Sequence, residues 1–302
     1  MSAFVLHLLA ALDPPGLFSE AFMQNAWIAG TAVAAVAALV GFFVVLRGSS
    51  FVAHAVPRGS FAGAAGAVLV GQSTLLGLGV FAALSALGIA SLGERRRHDA
   101  MIGLVLVTAL GLGDLFLAIG HAYAPEVFAL LFGQIVGISR REVYEILALS
   151  LVIASVLVVA YRPFLLTSIQ PDIAAARGVR VGRADLLFLL LVSLAAAATV
   201  PVVGALLSFS LMVGPPAAGS VLAKSPPRAL GLGVAFALVS VWISIWLAYL
   251  TNWPISFWVS ALCLLVYVLA RMQAGVTRRS TRLRSPAEPP LGTGDPASAL
   301  AR

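Results

Sequence analysis

Four ionisable side chains stand in apolar surroundings where each could act on an ion. His54 and Arg58 are four positions apart, and Asp114 and His121 are seven apart. Both spacings put a pair on one face of a helix. Neutral imidazole is a common zinc ligand, and carboxylates also bind the metal. His54, Asp114 and His121 are therefore candidate metal ligands. Arg58 is not a ligand, because guanidinium has no free lone pair and stays charged. Asp114 and His121 would stand about 10 Å apart along a helix axis. That is too far to share one ion, but it suits successive stations on a path.

The remaining chemistry is sparse. His7 and His98 read as surface residues near water. Cys263 lies alone in an apolar run, which excludes an internal disulfide and a cysteine-rich metal site. There is no GxxxxGK(S/T) loop, no HExxH and no GxSxG, so neither nucleotide binding nor hydrolytic catalysis is expected of this chain. No catalytic residue and no bound cofactor are assigned.

The elements that position these residues follow from composition. Of 302 residues, 61% are hydrophobic and 10% charged, against roughly 25% charged in a soluble domain. Such a surface needs lipid as its solvent. The net charge of +7 is spread in short runs between apolar stretches, which orients membrane helices and leaves no nucleic-acid footprint. The fold class is an all-α polytopic bundle.

Spans are expected near residues 25–46, 99–121, 143–161, 229–250 and 255–270. Two apolar hairpins, 50–92 and 186–222, divide near Gly71-Gln72-Ser73 and near Pro201. That makes nine spans, with eight or ten as alternatives. With the N-terminus outside, all of the 19 basic residues except Arg140 and Arg141 fall on the cytoplasmic side. This includes Arg58, and it satisfies the positive-inside rule. Residues 1–24 read as an interfacial lead-in without a cleavable signal, 25–270 as the transmembrane domain, and 271–302 as a basic, disordered cytoplasmic tail.

The polar segment 162–185 separates two of these spans. Within it, Pro171 suits a first helical turn, Asp172 the positive N-terminal end, and Gly178 a C-terminal stop. A short helix in a cytoplasmic loop follows. It could dock into a partner's groove or be an ordinary loop helix.

Five segments, in order, resemble the permease subunits of zinc and manganese ABC importers. Phe22-Met23-Gln24-Asn25-Ala26, leading to Gly41-Phe42-Phe43-Val44-Val45-Leu46-Arg47, is similar to the family's first helix. His98 to Gly103 resembles its D-x-A-I-G helix start, and Leu131-Phe132-Gly133 its external L-F-G loop. Ala174 to Gly178 resembles its A-x-A-x-G coupling loop, and Val203 through Ala218 its VGxLL…PAA segment. The resemblance implies a prokaryotic plasma-membrane permease acting as a homodimer. It also implies cytoplasmic ATP-binding subunits that supply the ATP chemistry and an extracytoplasmic metal-binding protein. On the same grounds Asp172, Ala174, Ala176 and Gly178 would face the ATPase.

One departure touches the cargo. Where the family carries D-A-L-S-H-A, with its Asp and His associated with metal passage, this chain has His54-Ala55-Val56-Pro57-Arg58-Gly59. A retained imidazole without its carboxylate leans toward zinc, with manganese next. Asp114 is a second unexpected charge. It either pairs with Arg58 inside the bundle, or lines the ion pathway, or does neither. An ABC permease for a non-metal substrate, a secondary transporter without ATP and an intramembrane enzyme are the alternatives. The last lacks any paired nucleophile and base.

Overall fold

The structure, a computed structural model, describes residues 20–92, 98–120, 131–205 and 207–284. Among them are helices and no strand. The described residues open with α1, Ala21–Leu46, whose 26 residues carry no charge and rise for about 39 Å. α2 (Ser50–Gly59) and α3 (Phe61–Leu69) follow, then α4 (Thr74–Leu92) and α5 (His98–Gly120). A 3₁₀ turn at Ile135–Gly137 precedes α6 (Arg140–Ile169) and the short α7 (Pro171–Ala176). The last four helices are α8 (Val181–Val203), α9 (Ser208–Leu222), α10 (Pro226–Thr251) and α11 (Ile255–Arg284).

α1 and α8 are mostly buried and form the centre, while α5 faces outward along most of its length. The central helices are built from small residues: Ala26, Ala29, Ala34 and Ala37 on α1, and Ala195 to Ala198 on α8, are fully buried. Lipid provides no hydrophobic drive between helices, so close backbone contact through small side chains supplies the packing energy. One very close crossing joins α3 to α4. A Cβ at Gly63 would fall on the Gly77 carbonyl, and one at Gly77 on the Gly63 carbonyl.

Among the described residues, seven helices are long and apolar enough to cross a membrane: α1, α4, α5, α6, α8, α10 and α11. The expectation was nine. The difference lies in α9, which has 15 residues, and in the α2–α3 pair, each too short alone. α2 and α3 are separated by Ser60 only, which keeps helical angles (φ −66°, ψ −19°). Pro57 has no N–H to continue the ladder, and the Ser60 hydroxyl donates to its carbonyl at 2.7 Å. The pair is one kinked rod.

The first hairpin turns at residues 70–73, as expected. The second turns after Gly204 (φ +91°), not at Pro201, which stays inside α8. Pro201 offers its own carbonyl to the Gln134 N–H at 3.1 Å. α6 extends beyond residues 143–161 at both ends. A capping box between Ser139 and Glu142 starts it, and Pro163 is absorbed within it. α1 starts at Ala21, inside the stretch read as lead-in. α11 runs on to Arg284, into the stretch read as disordered tail. A helix already formed propagates into residues without proline at no new nucleation cost. Residues 1–19 and 285–302 lie outside the described residues.

The α3–α4 crossing yields a direct check. Gly63→Val or Gly77→Val should cost about 1–3 kcal/mol or more by overpacking and lower the yield of monodisperse protein on gel filtration. Gly79→Ala, where a Cβ meets nothing within 4 Å, should leave it unchanged.

Candidate functional site

The end of α1 carries the most heavily bonded side chain of the bundle. Arg47 follows the last helical residue, and Gly48 (φ +66°) turns the chain into α2. The guanidinium folds inward. It donates to Asp185 Oδ1 at 2.7 Å, Thr167 Oγ1 at 2.9 Å and Ser168 Oγ at 3.0 Å. It also lies over the rings of Phe188 (4.4 Å) and Phe164 (5.6 Å). Arg47 is 10% exposed and Asp185 49%. Burial pushes the Arg47 pKa down, and the hydrogen bond and charge of Asp185 partly oppose it. It remains cationic at any ordinary pH. Five contacts thus tie together the ends of α1, α6 and α8. They border a cavity of about 340 Å³ lined also by Ser49 and Pro171.

α7 hangs from this junction. Pro171 opens it and Asp172 sits in its first turn. Gly178 (φ +80°) closes it, its N–H donating to Ala175 O at 2.9 Å while the Val179 N–H donates to Ala174 O at 3.0 Å. Asp172, Ala176 and Gly178 are exposed, as a partner-facing helix requires. Ala174 is not: it is fully buried, because one side of so short a helix must rest on α6 and α8. The expectation that Ala174 faces a partner is corrected. Ile173 takes the outward position instead, 42% exposed. Sequence reading missed Ile173, whose signal was an apolar residue beside Asp172 on a helix of this length.

Of the four ionisable residues, His54, Arg58 and Asp114 are described, and neither His54 nor Arg58 is bonded to Asp114. His54, half-buried on α2, stacks near Phe51 (ring centroids 6.3 Å) and meets Phe209 edge-on (5.3 Å). Arg58, one turn on, is also half-buried. Its Nε is shut away from solvent with no hydrogen-bond partner. The ion pairs among the described residues are Arg47–Asp185 and Arg141–Glu145, so the expected Arg58–Asp114 pair is not formed. The reason is rotational. Gly113 is the α5 position that packs inward, against Phe61 and Ala62. Asp114, about 100° further round, is exposed. Arg58 also stands mid-rod rather than at the helix end where the charge-based topology put it. His121 lies outside the described residues. Among the described residues no three His, Cys, Asp or Glu side chains are grouped to hold a metal ion.

A bundle of apolar helices long enough to cross a membrane, with a buried arginine junction and a short exposed helix beside it, defines a polytopic membrane protein. The chain belongs to the ABC 3 transport family, whose model matches residues 19–274. It is 29% identical over 227 residues to the manganese transport system membrane protein MntC of Halalkalibacterium halodurans, covering 74% of this chain and 77% of that protein. It is 26% identical over 239 residues to the manganese import system permease protein ScaB of Streptococcus parasanguinis, covering 78% and 85%. A probable metal transport system membrane protein of Treponema pallidum is 30% identical over 227 residues, covering 74% and 81%. Among solved structures, PsaBC from Streptococcus pneumoniae in complex with Fab shares the fold, with a TM-score of 0.82 at 23% identity. That match covers 92% of this chain and 100% of that one.

The Arg47 junction predicts a graded response. Arg47→Ala should cost about 2 kcal/mol, the scale of a charge-assisted bond with a half-exposed partner. Arg47→Lys should fall between, since an ammonium cannot span the same three acceptors and two rings. Thermal unfolding of the detergent-solubilised protein reads both.

Proposed function

We propose that this chain is the membrane-spanning permease subunit of an ATP-driven importer for a divalent transition metal, manganese ahead of zinc. Family membership carries the reading, and the manganese names of its relatives move the order from zinc to manganese. The retained imidazole at His54 had pointed the other way, but one side chain without grouped ligands weighs less than several named relatives.

In this reading nine crossings are made by the seven long helices, the kinked α2–α3 rod and α9. The Arg47 end is cytoplasmic and the N-terminus outside. Two copies form the pathway, an extracytoplasmic metal-binding protein delivers the ion, and two cytoplasmic ATPase subunits grip α7. The exposed faces of Asp172, Ile173, Ala176 and Gly178 support α7 as the grip. ATP binding and hydrolysis on the partner then shift α7, and the shift reaches the bundle through the ends of α6 and α8. His54 and Asp114 remain pathway candidates, Asp114 by its exposure on α5.

Co-expression with a candidate ATPase subunit from the same genome tests this. The wild-type chain should copurify with the ATPase. Gly178→Trp, which forces a large side chain into a left-handed backbone at the end of α7, should lose the partner while staying folded in the membrane. Undiminished copurification of Gly178→Trp would remove α7 from the interface. A wild-type chain that never associates with an ATPase and still moves metal would be a secondary transporter.

A further inference from the structure

A cavity of about 380 Å³ lies where α1, α2, α9 and α11 meet. Val45 and Ser50, on either side of the Arg47 turn, place it at the Arg47 end of the bundle. Four hydroxyls line it, those of Ser50, Ser210, Ser260 and Tyr267. The Ser260 Oγ has no hydrogen-bond partner. The other three make no side-chain hydrogen bond to any described residue. None of the lining residues is an acid or a base. Dry cavities in proteins are apolar. One with several unbonded hydroxyls and room for about a dozen waters is a wet one.

His54 stands one turn along α2 from Ser50, about 6 Å by helical rise. Phe209, at the start of α9, joins the two places. Its ring forms part of the cavity wall and meets the His54 ring edge-on at 5.3 Å. Phe51 stacks on the same imidazole at 6.3 Å. An apolar ring beside a wet cavity stops an ion by excluding its water, as hydrophobic constrictions do in channels. Water and neutral oxygens suit manganese without the grip of a carboxylate, and an ion in transit must be held weakly enough to leave.

We infer that this cavity is the hydrated inner vestibule of the ion path in each copy, and that Phe209 is the gate between it and His54. The ion leaves the imidazole when the Phe209 ring turns aside, and it regains its water among the four hydroxyls. This rests on the metal-importer reading and adds the inner half of the route to it.

The purified chain in nanodiscs, with Cys263→Ala removing its native thiol, tests the cavity without an ATPase. The thiol of Ser210→Cys should react with a charged, membrane-impermeant methanethiosulfonate, and Tyr267→Cys reads the same cavity if the first variant misfolds. Reaction only with an uncharged, lipophilic maleimide would mean that lipid fills the cavity, which overturns the inference. The thiol of His54→Cys should react slowly with the charged reagent, and roughly tenfold faster once Phe209→Ala is added. Phe209→Leu, which keeps apolar bulk, should fall between. Equal rates with and without the Phe209 ring overturn the gate. Gel filtration checks that each variant is folded. In vesicles that also hold the ATPase, Ser210→Val with Ser260→Val should dry the vestibule and cut ATP-driven manganese uptake roughly tenfold. Undiminished uptake takes the cavity off the route and overturns the inference. If wild type moves no metal either, the importer reading fails, while the labelling still decides whether the cavity is wet and whether Phe209 shuts it.

Discussion

Hydrocarbon gives a stranded charge neither solvent nor hydrogen bonds, and placing one at the centre of a spanning helix costs about 2.5–3.5 kcal/mol on insertion scales. The fold can be read as the set of answers to that constraint. Arg47 is brought into the bundle only where Asp185, Thr167, Ser168 and two rings receive it. Arg141 stays at a helix end with Glu145. Asp114 is turned outward on α5, within two turns of its end. The Arg58 Nε, midway along the α2–α3 rod, has no hydrogen-bond partner.

The same constraint explains how one end of the bundle can act as a unit. Because Arg47 needs acceptors from α6 and α8 together, the end of α1 cannot move independently of them. α7 is continuous with α6 through Gln170, and it rests on α8. A force applied to α7 is therefore passed to three spanning helices at once, and through Gly48 to the rod that carries His54 and Arg58.

The helices were legible in the sequence because uninterrupted apolar runs have few other fates in lipid. The turn at residues 70–73 and the α7 boundaries at Pro171 and Gly178 were legible from proline and glycine placement. Helix ends were less so. Pro201 and Pro163 look like breakers by local rules, yet membrane helices absorb proline where neighbours satisfy the freed groups. The Arg58–Asp114 pairing failed for a different reason: it needed the rotation of α5 about its axis, which Gly113 fixes through contact with Phe61, and no pattern within α5 encodes that contact. Arg47 was visible only as one more positive-inside charge. Its partners lie 120 to 138 residues away, beyond any local signal.

The central claim is that this chain forms a metal pathway powered by a separate ATPase. Accumulation of radiolabelled manganese in vesicles containing both subunits, supplied with the metal-binding protein, tests it most directly. The account predicts accumulation that requires ATP and disappears when the ATPase subunit is left out. No accumulation, or equal accumulation without ATP, would contradict it.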